Sequence, residues 1–153
     1  MATVNPIPIG FHTITPHLIV ANAADAIEFY QEAFGAREIS RLRGPRGKLM
    51  HVEMHVGTSR FLLADEFPEQ GKSGPRALGG TPVTIHLYVD DTDATFERAV
   101  AAGAKATMAP EDMFWGDRYG QIEDPFGHRW AIASRIEDLT QEEILTRAPT
   151  MEG

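Results

Sequence analysis

The chain has 153 residues, 22 acidic against 14 basic side chains, a formal charge of −8 and no cysteine. That charge repels phosphate backbones and anionic lipid heads, so nucleic acid and membrane surfaces are poor partners. The missing cysteine excludes disulfides, iron–sulfur clusters, thiolate zinc sites and a cysteine nucleophile. The length suits one domain or two small fused modules. The opening stretch shows no basic-then-apolar leader, and no apolar run nears the roughly 20 residues of a membrane helix. A cytoplasmic protein is the expectation.

In chain order, residues 13–20 alternate as a strand, with Leu18 and Val20 on one face and Thr15, His17 and Ile19 on the other. Asn22 offers a helix N-cap, Ala26, Ile27, Tyr30 and Phe34 recur at helical spacing, and Gly35 ends the helix over 23–34. Strands are predicted over 37–42, over 49–56 after the turn at Gly44-Pro45-Arg46-Gly47, and over 60–64 after Gly57-Thr58. Residues 66–81 are rich in Gly and Pro without periodicity and read as a connector. The same order then returns: a strand over 83–89, a helix capped by Asp91 or Thr92 and stopped at Gly103, and strands over 104–108, 117–122 and 129–133. Beyond them, Thr140 and Glu143 form a capping box, with Leu139 and Ile144 as its hydrophobic staple. A short terminal helix follows, whose Ile144 and Leu145 need cover from the chain itself or from a partner subunit.

The two halves repeat. Thr15-Pro16-His17-Leu18-Ile19-Val20 is echoed by Thr84-Ile85-His86-Leu87-Tyr88-Val89, an offset of 86 − 17 = 69 positions. At the far end Arg60-Phe61 matches Arg129-Trp130 and Ala64 matches Ala133 at the same offset. The reading is an α+β fold of two tandem β-α-β-β-β modules forming a curled sheet around a cleft. The modules span 13–65 and 82–134, with the connector over 66–81 and a C-terminal extension over 135–153. Phe61 and Trp130, at matching strand positions, are expected in the core. Met50, Met54, Met108 and Met113 are expected to pack as well.

Three segments carry a resemblance: Phe29-Tyr30-Gln31-Glu32-Ala33-Phe34-Gly35, Phe114-Trp115-Gly116-Asp117-Arg118-Tyr119-Gly120, and Asp124-Pro125-Phe126-Gly127-His128-Arg129-Trp130. Over roughly residues 13–134 the chain resembles the vicinal oxygen chelate (glyoxalase, bleomycin-resistance, dioxygenase) superfamily, and within it the PhnB-like branch. The resemblance implies a homodimer and, in most members, a divalent metal held by histidines on the first strands and carboxylates on the last. Laid on the glyoxalase pattern, the metal histidines fall on Thr15 and Thr84 and the carboxylates on Leu62 and Ala131. His17 and His86 lie two residues further along the same face, about 6.5 to 7 Å away. The glyoxalase ligand set is therefore not reproduced.

Two readings of the histidines stay open. His17 and His86, with Glu53 from the polar face His51-Glu53-His55, would make a two-histidine, one-carboxylate site for one divalent metal ion. Alternatively the histidines are neutral and hydrogen-bond a ligand or water without a cofactor, while His51, Glu53 and His55 form a solvated strand face. The aromatic loop is equally open. Trp115 and Tyr119 either form a lid that stacks on a flat ligand oriented by Arg118, or pack under the loop while Asp117 and Arg118 pair. His12 and His128 are assigned no role, and Asp90, Asp91 and Asp93 serve a helix start.

The function expected first is binding of a small organic ligand in a cleft lined by His17, His86, Thr15, Thr84, Trp115, Arg118 and Tyr119, without the glyoxalase metal site. The alternative is a metal-dependent lyase, isomerase or dioxygenase in which the ion polarises vicinal oxygens of a substrate.

Overall fold

The computed structural model describes residues 3–149. The first two positions of the N-terminal stretch, and 150–153 of the expected C-terminal extension, lie outside the described residues. The chain divides into two compact units, one up to Thr81 and one from Pro82.

In the first unit, β1 (His17–Val20) leads into α1 (Ala23–Phe34), β2 (Arg37–Arg43), β3 (Leu49–Val56) and β4 (Ser59–Asp65). The sheet order is β1-β4-β3-β2, with β1 parallel to β4 and the other pairs antiparallel. Asn22 caps α1 by accepting from the Asp25 N–H at 3.1 Å. The helix buries Ala23, Ala26, Ile27, Phe29, Tyr30, Ala33 and Phe34. Tyr30 meets Phe61 of β4 edge to face at 5.4 Å, so the helix covers one side of the sheet. Leu18, Val20, Val52, Met54 and Leu63 complete that core. Each large side chain so buried contributes about 1.5–3 kcal/mol.

The second unit repeats this with β5 (Thr84–Tyr88), α3 (Thr92–Ala101), β6 (Lys105–Asp112), β7 (Asp117–Glu123) and β8 (Arg129–Arg135), in sheet order β5-β8-β7-β6. Asp91 caps α3 through the Ala94 N–H at 3.1 Å. Trp130, Ile122 and Ile132 are fully buried.

Several boundaries differ from expectation. Strand β1 starts at His17 rather than at 13, because Pro16 has no N–H to give; its carbonyl nonetheless accepts from Leu62 at 2.8 Å. Thr15 therefore lies outside the strand. Strand β5 is shorter than 83–89, and β6 runs on to Asp112, past Pro110. That proline is tolerated because β6 is a sheet edge, and the strand is irregular between Ala106 and Glu111. The connector is not structureless: it holds a 3₁₀ turn (Pro68–Gln70), a bridge between Phe67 and Lys72, and the short α2 (Pro75–Leu78). Met50 is 43 % exposed and does not join the core.

Helix α4 (Gln141–Arg147) carries the expected Thr140–Glu143 capping box but no buried residue, and Leu145 stays 65 % exposed. No helix among the described residues is long and apolar enough to cross a membrane.

The Asp-Pro-Phe-Gly turn has a clear physical basis. The Asp124 carboxylate, 1 % exposed, accepts from the N–H groups of Phe126 at 2.9 Å and His128 at 3.0 Å and from Trp130 Nε1 at 2.9 Å. One side chain thus holds the turn between β7 and β8 and orients the largest core residue. Asp124→Ala leaves buried donors unpaired, so a loss of about 3 kcal/mol is expected in urea unfolding; a loss within experimental error would show that the turn closes without it.

Candidate functional site

The identical register of the two parallel ladders sets the site. His17 pairs with Leu62 on β4, and His86 pairs with Ala131 on β8, each 69 positions on. Across the last hairpin the offset changes. Glu53 opposes Leu62 and Gln121 opposes Ala131, so 121 − 53 = 68. The difference lies in the turn, where four residues (56–59) separate His55 from Arg60 and five (124–128) separate Glu123 from Arg129. His51 and Tyr119 therefore become repeat mates. This equivalence was invisible at a fixed offset.

In the second unit the sheet face away from α3 carries a ring cluster. Thr92 and Phe96 of α3 pack on the β7 backbone: Thr92 Oγ1 donates to the Arg118 carbonyl at 3.0 Å, and a side chain at Gly120 would run into Phe96. Alternation then turns Asp117, Tyr119 and Gln121 to the opposite face. The imidazole of His86 lies 4.7 Å from the Tyr88 ring and 5.7 Å from the Tyr119 ring, and Trp115 meets Tyr119 edge-on at 5.6 Å. Strands β5 and β7 flank β8, so their backbones stand about 9.6 Å apart at the usual strand spacing. The rings meet across that gap because the residues between them are Ala131 and Ala133, both fully buried. The result is a pair of aromatic walls that close over the two alanines.

Polar groups fix those walls. One Asp117 oxygen accepts from Trp115 Nε1 at 3.1 Å and from the Tyr88 hydroxyl at 3.2 Å, and Gln121 Nε2 donates to the Tyr119 hydroxyl at 2.8 Å. Desolvation of the phenol, then the Asp117 charge and hydrogen bond, push Tyr88 above its ordinary value. The loop under Trp115 is pinned, since the Gly116 carbonyl accepts from Ile136 at 2.9 Å and Glu137 at 3.0 Å. Gly116 has φ 101, and a Cβ there would lie 2.9 Å from the Glu137 carbonyl oxygen, so only glycine fits.

Of the residues expected to touch a ligand, His86, Trp115 and Tyr119 are brought together; Tyr88, Asp117 and Gln121 join them. Thr84 stands at the start of β5, beside Arg129 on β8. Arg118 differs from both expectations: its guanidinium pairs with Asp93 and Asp112, each at 3.1 Å, and not with Asp117. Alternation along β7 sends it away from the ring cluster. The signal for Tyr88 and Gln121 was available in the sequence, since both share strand parity with His86 and Tyr119. That Asp117 anchors both Trp115 and Tyr88 was not.

The first unit carries a plainer version of the site. His17 meets His51 edge-on at 6.4 Å, at the positions where His86 and Tyr119 meet at a tilt. Glu53 forms an ion pair with Arg60, whose guanidinium also lies over the Phe11 ring at 5.3 Å. Within either unit, no three His, Asp or Glu side chains among the described residues come together as metal ligands. The donors present do not fit a glyoxalase-type centre, because each histidine has an apolar neighbour on the last strand and Glu53 is already engaged.

Fold, repeat and site together define a class. The Glyoxalase/Bleomycin resistance protein/Dioxygenase superfamily profile matches residues 10–132, and the chain belongs to that superfamily. It is 48 % identical over 134 residues to an uncharacterized protein of Mycobacterium bovis, an alignment covering 86 % of this chain and 88 % of that one. The crystal structure of an Arabidopsis thaliana gene product matches with TM-score 0.66 and 30 % identity, over 80 % of this chain and 98 % of that one. A PhnB protein of Bacillus cereus shares the fold at TM-score 0.61 and 15 % identity, over 80 % and 99 %.

Partial removal from water, then the nearby His51 and Lys72, hold His17 below its ordinary value of 6.5. Its neutral form is thus the folded form at pH 7. Between the folded value and 6.5 the unfolded chain binds the extra proton, so this contribution is complete above 6.5 and is lost as pH falls through the folded value. NMR titration is expected to place His17 below the free imidazole, and His17→Asn to flatten the stability profile in that window. A His17 titrating at or above 6.5 would contradict the geometry.

Proposed function

We propose that the protein acts in the cytoplasm by binding a small, flat organic ligand without a metal on the helix-free face of a sheet, the face of His86 in the second unit and, in its plainer version, that of His17 in the first. The observation that carries this reading is the cluster of His86, Tyr88, Tyr119 and Trp115 rings closed over Ala131 and Ala133, with Tyr88 64 % exposed and so able to present ring area to a ligand. Aromatic walls offer stacking area at low conformational cost, and the His86 imidazole and Gln121 amide supply directed hydrogen bonds. Asp117 acts through Trp115 and Tyr88, holding both rings in place.

Trp130 is buried against Asp124, so Trp115 is the fluorophore that reports on the ring cluster. Planar aromatic probes are expected to quench it saturably. Tyr119→Ala and His86→Ala should weaken binding about tenfold, the equivalent of 1.4 kcal/mol. Ala133→Leu should abolish it by forcing the rings apart. Quenching unchanged in all three variants would overturn the proposal.

The competing enzyme reading needs Glu53 released from Arg60 and a second oxygen ligand in place of Leu62 or Ala131. Calorimetry with iron(II), manganese, nickel and zinc is expected to show no stoichiometric binding. One ion per chain, lost when His17 and His86 are replaced by alanine, would favour a metal-dependent lyase, isomerase or dioxygenase instead.

A homodimer belongs to the same proposal, since the apolar side of α4 needs cover and Leu145 is 65 % exposed. Light scattering should give twice the chain mass; a monomer at micromolar concentration would refute it.

A further inference from the structure

A second groove, of about 210 Å³, opens in the first unit between the β2–β3 turn and the folded connector. Pro45, Met50 and Phe67 form its apolar lining, and Arg46, Lys72, Glu69 and Gln70 line the rest. Phe67 is buried, whereas Met50 is 43 % exposed and offers its thioether to the groove. The volume is about seven waters at ~30 Å³ each and lies below the roughly 300 Å³ at which drug-sized sites begin. Its occupant is small.

Charge selects what that occupant is. In a chain of net charge −8, this groove gathers two cations against one carboxylate. Arg46 pairs with Glu69 at 3.2 Å, but both side chains are more than half exposed, and such pairs exchange readily. The Lys72 ammonium has no hydrogen-bond or ion-pair partner among the described residues, although its backbone is fixed by the bridge to Phe67. Lys48 does not compete, because its ammonium donates to the Glu66 carbonyl at 2.8 Å and lies over the Phe67 ring.

The backbone supplies an independent argument. Arg46 and Gly47 both have positive φ, 61 and 71, and the Lys48 N–H returns to the Pro45 carbonyl at 3.2 Å. Two successive left-handed residues make a type I′ hairpin turn, whose first central position favours Asn, Asp or Gly. Arginine there is strained, and its side chain points over the groove. Strain kept at a position that aims a functional group is a mark of a binding site.

We propose that this groove binds a small carboxylate with a short apolar tail, its anion held by Lys72 and Arg46 and its tail laid on Met50, Phe67 and Pro45. The incoming carboxylate takes the place of Glu69 at Arg46. Because the Lys72 charge reaches His17, occupancy also changes the field at that histidine.

Hexanoate titrated into the full-length protein, followed by amide NMR, should give saturable shifts at Arg46, Met50, Phe67 and Lys72. Its affinity should exceed that of acetate, inorganic phosphate and hexanol by about tenfold, which is 1.4 kcal/mol. Lys72→Gln and Arg46→Gln should each weaken it about fivefold, and Glu69→Gln should strengthen it; these exposed positions leave the core untouched. Phosphate binding as tightly as hexanoate would mark a bare anion patch, and hexanol binding equally would mark an uncharged groove; either result overturns the proposal. So does hexanoate affinity unaffected by both cation substitutions. All readouts lie in the first unit, so they are independent of Trp115 quenching in the second.

Discussion

Both units depend on one constraint: the first strand runs parallel to the last at one edge of the sheet, so the chain leaves it through a covering helix that crosses to the opposite edge. In the first unit a buried carboxylate secures that arrangement. Asp65, at the end of β4, accepts from the Ala23 N–H that opens α1 and from the Leu49 N–H that opens β3, both at 2.7 Å. Three elements are thereby pinned to one point. In the second unit Ser134 takes the repeat position, lies 2.8 Å from the Thr92 hydroxyl and donates to the Val89 carbonyl at 2.7 Å. A neutral pair does the work of the carboxylate, and the ladder register comes out the same.

From that register follows the chemistry available on the open faces. Each histidine is delivered beside the residue on the last strand where a glyoxalase carboxylate would stand, and that residue is Leu62 or Ala131. The two units then diverge through side-chain size. Alanines on β8 let His86, Tyr119 and Trp115 close over a narrow floor, whereas Leu62 keeps His17 and Glu53 apart and Arg60 takes up the carboxylate. A duplicated scaffold has been specialised on one side, with aromatic walls in the second unit and polar ones in the first.

The turns show where duplication has loosened. A two-residue reversal at Gly57-Thr58 is replaced by the longer Asp124 turn, and the extra residue lets the Asp124 carboxylate reach the Trp130 indole. The β2–β3 turn of the first unit departs differently, by accepting a strained arginine next to a folded connector.

The order of elements, the repeat, the helix caps at Asn22, Asp91 and Thr140, and the core positions of Phe61 and Trp130 were legible in the sequence. They depend on local rules, namely periodicity, capping geometry and strand parity, which act over a few residues. What only the tertiary structure decided is which distant groups meet. The one-residue slip that makes His51 and Tyr119 equivalents, the capture of Glu53 by Arg60, the turn of Arg118 toward Asp93 and Asp112, and the folding of 66–81 against Arg46 all join residues from separate elements. Such pairings are set by ladder register and by competition among partners, and neither is written in any local stretch of chain.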